Sequence, residues 1–164
     1  MVFPGRYSAQ IEGDFVVFLI GARVNRLSKL LTFVPIARAM SRMQQEVLAN
    51  PELGCLHIEN WFGRTTMSVQ YWRSFEHLEA YSRNPSAEHL PAWRDFNKKV
   101  RDNGSIGIWH ETFKVREGEY EAIYGNMHQF GLGVAGEHGK ASLLSTAARR
   151  SGARSDDVAP VEAY

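Results

Sequence analysis

The chain is 164 residues long and 44% hydrophobic, with 19 basic against 18 acidic side chains and a formal charge of +1. That length suits one domain plus tails, the apolar share suffices for a core, and the balanced charge excludes the electrostatic footprint of a nucleic-acid-binding protein. The single cysteine, Cys55, excludes intramolecular disulfides and a cysteine-based metal centre; beside Gly54 it reads as a small buried residue.

The run at 15–22 (FVVFLIGA) is apolar but falls well short of the roughly 20 residues a spanning helix needs. It follows Glu12 and Asp14 with no basic lead, so it does not read as a signal peptide. A cytoplasmic protein without a membrane partner is expected. The same run, extended to 25, has the near-continuous apolar character of a central strand covered on both faces. Pro35 suits a first helical turn, and Ile36, Met40, Met43 and Val47 follow on one helical face until Asn50-Pro51 stops it.

Two strands come next, at 55–62 and 65–73, around Gly63-Arg64, which predicts a type II′ hairpin. That register sets Phe62 opposite Thr65, Asn60 opposite Met67, Ile58 opposite Val69 and Leu56 opposite Tyr71, all on one face. This greasier face belongs under the helices, with Asn60 and Tyr71 as polar anchors for a substrate oxygen. The other face carries Cys55, His57, Glu59, Trp61 and Trp72, and its two tryptophans favour a partner subunit.

Ser74 predicts a helix cap, with Phe75, Leu78 and Tyr81 inward and Asn84-Pro85 as the stop. A second helical stretch carries His89, Trp93, Phe96 and Val100 at i, i+4, i+7 and i+11, and ends near Asn103-Gly104. A histidine on that inward face is either a core residue satisfied by a backbone carbonyl or a neutral imidazole available as base, donor or ligand. Trp93 is either core or a platform for substrate. The last strand, 105–115, puts Ile106, Ile108, His110 and Thr112 on one face, and Trp109, Glu111 and Phe113 on the other. His110 and Glu111 therefore cannot form a dyad. His110 faces either the pocket or a dimer seam; Glu111 is an acid or base if buried, or one half of an interface ion pair.

Residues 119–133 (EYEAIYGNMHQFGLG) are aromatic and glycine-rich without a clear period, and are expected to form an ordered loop or short helix over the domain or its partner, with Tyr124 a candidate cap for a pocket mouth. From 137 the composition turns small, polar and charge-mixed, so a domain at 1–136 and a disordered tail at 137–164 are expected. The element order β-α-β-β-α-β predicts an α+β, ferredoxin-like fold with a four-stranded antiparallel sheet.

The strings YWRSFEHLEAYSRN (71–84), HLPAW (89–93), GIWHETFKV (107–115) and YEAIYGNM (120–127), in this order, resemble a family of small monooxygenase-like proteins. That family is typified by an enzyme of fungal fumagillin biosynthesis and is related to the antibiotic-biosynthesis monooxygenases of the dimeric α+β barrel superfamily. His128 departs from the pattern, which has proline after Asn-Met.

The resemblance implies a homodimer with sheets face to face and, in each subunit, a pocket between sheet and helices for a small apolar molecule. Superfamily members that need no cofactor oxidise electron-rich aromatics with O₂. Others hold haem through a histidine on the helix before the last strand, where His89 lies, and haem-dependent aldoxime dehydratases are distant relatives. No flavin or nicotinamide fingerprint is present. The leading expectation is thus a monooxygenase for an aromatic or terpenoid metabolite, with His89 orienting or deprotonating it and Asn60 and Tyr71 setting it against Trp93. A haem enzyme with His89 as axial ligand, or a non-catalytic binding homodimer, are the alternatives.

Overall fold

The computed structural model describes residues 1–100 and 103–141, and of Ala92, Trp93 and Lys99 the backbone only. Trp93 as core or substrate platform therefore lies outside the described side chains, as residues 142–164 lie outside the description altogether. In chain order the elements are β1 (Phe3–Gln10), β2 (Phe15–Val24), α1 (Leu30–Ala49), β3 (Cys55–Trp61), β4 (Met67–Trp72), α2 (Phe75–Arg83), α3 (His89–Val100), β5 (Ile106–Val115), β6 (Tyr124–Met127), α4 (Leu132–Ala135) and β7 (Glu137–Lys140).

The main sheet is antiparallel in the order β3-β4-β2-β5. With β2-α1-β3-β4-α2/α3-β5 as the chain path, this is the ferredoxin-like arrangement that the element order implies. Directly opposed residues share a face. The pairs Val16↔Trp72, Phe18↔Gln70 and Ile20↔Ser68 on one side of β2, and Phe18↔Thr112, Ile20↔His110 and Ala22↔Ile108 on the other, thus form a single surface. The helices pack on it. Val16, Val47, Ile58, Trp72, Leu78 and Tyr81 form the main core cluster there, and Ala22, Val100 and Ile106 a second.

The hairpin differs from expectation. Trp61 pairs with Met67 and Asn60 with Ser68, one residue out of the predicted register. The cause is β2, whose far end captures the turn: the Thr66 N–H donates to the Ala22 carbonyl at 2.8 Å and the Val24 N–H to the Arg64 carbonyl at 3.0 Å. A one-residue slip flips every β4 side chain. Trp72, expected at a partner interface, is 1% exposed in the helix-facing core. Tyr71, expected in the pocket, turns to the opposite face. The register also shifts between Cys55 and His57, and Cys55 joins the core beneath the helices while His57 and Glu59 stay outside.

Helix α1 begins at Leu30, so Pro35 stands inside it rather than in its first turn. The carbonyl that loses its partner is that of Leu31, on an 85% exposed residue where water can serve instead. Among the described residues α1, at 20 residues, is the longest helix, and no helix is long and apolar enough to cross a membrane.

A second sheet, β6-β1-β7, was not foreseen. It folds with α4 against the outer face of the main sheet, where Ala9, Phe15 and Leu132 pack with Val17, Tyr71, Val115, Tyr120 and Tyr124. The chain's own arm thus covers one end of the face expected to meet a partner. Trp61 and Phe113, on the same face, remain 40% and 49% exposed. Strand β7 pairs with β1 from Tyr7↔Lys140 to Gln10↔Glu137, so ordered structure crosses the expected boundary at 136/137.

Candidate functional site

The corner between α2 and α3 is made by Asn84-Pro85. Helix α2 stops at Arg83, the Asn84 side chain accepts from the Ser86 N–H at 2.9 Å, and α3 starts at His89. This break leaves the Ser82 carbonyl, in the last turn of α2, without a helical partner. The His89 Nδ1–H donates to it at 2.9 Å. A neutral imidazole with its proton committed to Nδ1 has its lone pair on Nε2.

His89 lines a cavity of about 740 Å³ between sheet and helices. Its floor is Phe18, Ile20, Ile108, His110 and Thr112; its roof includes Ile36, Met40 and Met43 from α1, Phe75 and Leu78 from α2, and Phe96 from α3. The volume is that of a small-molecule site and the lining is mostly apolar. Its rim is charged: Arg42 pairs with Glu88 and Arg83 with Glu79, each at 3.0 Å, and Arg38 and Asp95 stand alongside. A smaller annex of about 60 Å³ shares His89, Phe18 and Met43 with the cavity, and is otherwise walled by Gln44, Gln70, Trp72 and Tyr81 among others.

Two of the expected site residues meet in this cavity. His110 settles on the pocket side, its ring 5.7 Å from that of Phe18, and shares the space with His89. The others do not. Glu111 lies on the outer face, exposed, across from Leu19. Asn60 is on the helix-facing side, but its amide is tied reciprocally to Gln44, at 2.9 and 3.0 Å, away from the cavity lining.

Tyr71 sits under the arm, its hydroxyl pushed to higher pKa by burial and then by Tyr124 and Glu59. Tyr124 caps no pocket mouth. It lies in the arm on the far side of the sheet, where its hydroxyl accepts from the Gly133 N–H at 3.0 Å, and burial raises its pKa too.

Gln70 and Trp72 were missed, because the wrong hairpin register put both on the outer face. The available signal was the length of β2, which could pair with 64–66 and so override the turn.

The surrounding groups are locked. The Tyr81 hydroxyl donates to Glu46 at 2.7 Å, with its pKa raised by burial first and by that carboxylate second. The same Glu46 oxygen accepts from the Glu88 N–H at 3.1 Å, tying α1 to the entry of α3. Burial pushes the Cys55 thiol up to about 12, so it stays protonated and unreactive.

A family model described as "Monooxygenase af470-like" matches residues 15–132, which spans the sheet, the three helices and the cavity between them. The chain belongs to this monooxygenase family. Within it, Monooxygenase af470 of Aspergillus fumigatus is 32% identical over 155 residues, an overlap of 80% of this chain and 54% of that protein. The chain thus spans about half the length of the curated relative it matches. The fold of this af470-like chain is also that of a crystal structure of aldoxime dehydratase, with a TM-score of 0.61 and 17% identity over 78% of this chain and 41% of the other. SnoaB, a cofactor-independent oxygenase from Streptomyces nogalater, is a looser likeness, at a TM-score of 0.44 and 15% identity, over 63% of this chain and 95% of that one.

Proposed function

We propose that this af470-like chain is a monooxygenase for a small apolar metabolite, aromatic or terpenoid, bound in the cavity between the sheet and α1–α3. The observation that carries the reading is His89: its proton is held on Nδ1 by the Ser82 carbonyl, and the ring borders a mostly apolar cavity. A base so fixed can take a proton from a bound substrate, and the anion left behind can give an electron to O₂ where a neutral hydrocarbon cannot. His110, on the floor, supports the same task as a second polar group. Family membership supports the reaction class. Oxygen uptake with a panel of aromatic and terpenoid substrates tests it; no uptake with any of them, alongside saturable binding, leaves a binding protein.

A second reading has one observation in its favour. A histidine that donates Nδ1–H to a carbonyl has the arrangement typical of a metal-ligating imidazole, and Arg38 at the rim suits a carboxylate of a haem. On this reading His89 would hold a haem through Nε2, and the group would supply redox or Lewis-acid chemistry there. A Soret band in the purified protein decides for this reading, and a flat visible spectrum after haem addition decides against it.

We propose further that the chain is a homodimer through the part of the outer sheet face that its own arm leaves open, around Trp61, Trp109 and Phe113. Exposed Trp61 and Phe113, on the two edge strands of that sheet face, support it.

A further inference from the structure

The first turns of α1 carry apolar side chains on two sides. Phe33, Ile36, Met40, Met43 and Val47 turn to the core or the cavity. Leu27, in the 3₁₀ turn that leads into the helix, and Leu30, Leu31 and Val34 do not: they are 66%, 54%, 85% and 38% exposed. Their spacing of i, i+3, i+4 and i+7 makes one stripe, and Val34, two residues from Ile36, stands across the helix from the buried side. Nothing among the described residues covers this stripe.

The charge around it is of one sign. From Phe15 to Gln45 the sequence has no acidic residue and five basic ones, Arg23, Arg26, Lys29, Arg38 and Arg42, in a chain whose formal charge is only +1. Arg42 is paired with Glu88, and among the described residues no carboxylate pairs with the other four. The β3–β4 turn joins the same end of the molecule. Arg23 Nη1 donates to the Thr65 hydroxyl at 2.5 Å, and the Arg64 guanidinium donates to the Val24 and Asn25 carbonyls at 3.2 and 3.1 Å. That turn adds a further cation, Arg64, and Phe62, which is 87% exposed.

Exposed leucines among arginines and lysine, with no acid between them, complement an anionic bilayer surface. The apolar side chains enter the boundary between headgroups and acyl chains, and the cations stay at the level of the phosphates. A second copy of the chain fits poorly, since it sets the same cations against their like. A nucleic acid would leave the leucines unburied. We propose that this end of the chain is a peripheral membrane anchor: the leucine stripe and Phe62 enter the interface of a bilayer containing anionic lipid, and Arg26, Lys29 and Arg38 meet its headgroups. Attachment to a surface needs no spanning run, so it departs from the expectation of no membrane partner without requiring a longer helix. Pro35, Ile36 and Arg38, beside Val34, line the cavity, and a docked chain holds that wall next to the lipid. The inference depends on neither reading of the reaction.

Sedimentation of the full chain with lipid vesicles tests this. Phosphatidylcholine vesicles with about 30% phosphatidylserine are expected to hold the protein about tenfold more strongly than phosphatidylcholine alone, or better, and about 0.5 M salt should remove most of that difference. Leu31→Ser should weaken binding to the anionic vesicles about tenfold, as for one leucine side chain no longer buried. The double variant Arg26→Gln, Lys29→Gln should weaken it about tenfold or more. All three side chains are exposed, so the thermal midpoint should not move, and Leu27→Ser replaces Leu31→Ser if that midpoint falls. Equal affinity for neutral and anionic vesicles, or binding that survives both variants, overturns the proposal. Failure to sediment with either vesicle also overturns it, and leaves the stripe to a protein partner.

Discussion

His89 and Trp72 are both held near the same annex, yet their expected behaviour on truncation is opposite. The His89 side chain makes one hydrogen bond, to Ser82, at the surface of a cavity, so removing it leaves little that must collapse. In His89→Ala, turnover is expected to fall by about 10²-fold or more, the usual loss for a general base, while urea denaturation shows a stability change of only about 1–2 kcal/mol. Trp72 is 1% exposed and packs with Val16, Ile58 and Tyr81 in the core. Trp72→Ala should cost roughly 3–5 kcal/mol in the same measurement.

The buried thiol and phenols give a pH dependence of definite sign. Cys55 rises from 9.0 to about 12 on folding, and Tyr71, Tyr81 and Tyr124 are raised as well, with burial the first cause each time. A group with a raised folded pKa binds its proton more tightly when folded, so its stabilisation is complete below the unfolded pKa and declines above it. Unfolding free energy is therefore expected to fall as pH climbs past 9.0, and Cys55→Ala should flatten the first part of that decline. A thiol reagent at neutral pH should leave the folded protein unlabelled.

At the scale of elements, β2 decides more than any turn. It pairs with β4 on one side and β5 on the other, and its end holds residues 64–66. Gly21 is what allows the close approach: a Cβ there would run into the Thr66 carbonyl and the Trp109 indole nitrogen. Gly21→Ala should cost about 1–3 kcal/mol by overpacking, seen as a lower denaturation midpoint. An unchanged midpoint would show that the β2–β4 edge yields freely.

The helix corner is the other decisive element feature, and it was legible. Ser74 caps α2 by accepting from the His77 N–H, and Asn84-Pro85 ends it, as their residue types require. What could not be read was the use made of the break: that the orphaned Ser82 carbonyl would meet the ring of a histidine seven positions on.

For the whole molecule, the arm changes what a terminal deletion does. Truncation after Gly136 removes β7, which pairs with β1 and carries His138, stacked at 4.8 Å on Tyr7. The loss should be visible as a fall in Tm of about 2–4 °C for each kcal/mol removed, with calorimetry as the measurement. The proposed dimer is checked by light scattering at micromolar concentration. A monomer there would mean that Trp61 and Phe113 are simply exposed, as 40% and 49% exposure in the single chain allows.

By itself the sequence determined the elements between 15 and 115, the antiparallel ferredoxin-like sheet, the family and the placing of His89 on an inward helix face. These rest on periodicity, capping and turn chemistry, which act over a few residues and so are written locally. The tertiary structure alone decided which face each β4 side chain takes, because strand register answers to the longest partner available and not to the nearest turn. That choice moved Tyr71 out of the site and brought Gln70 and Trp72 to it, and it left Asn60 facing the helices yet bound to Gln44. The first strand, β6 and β7 were invisible for a related reason: short polar segments have no period of their own and become strands only when distant parts of the chain lie side by side.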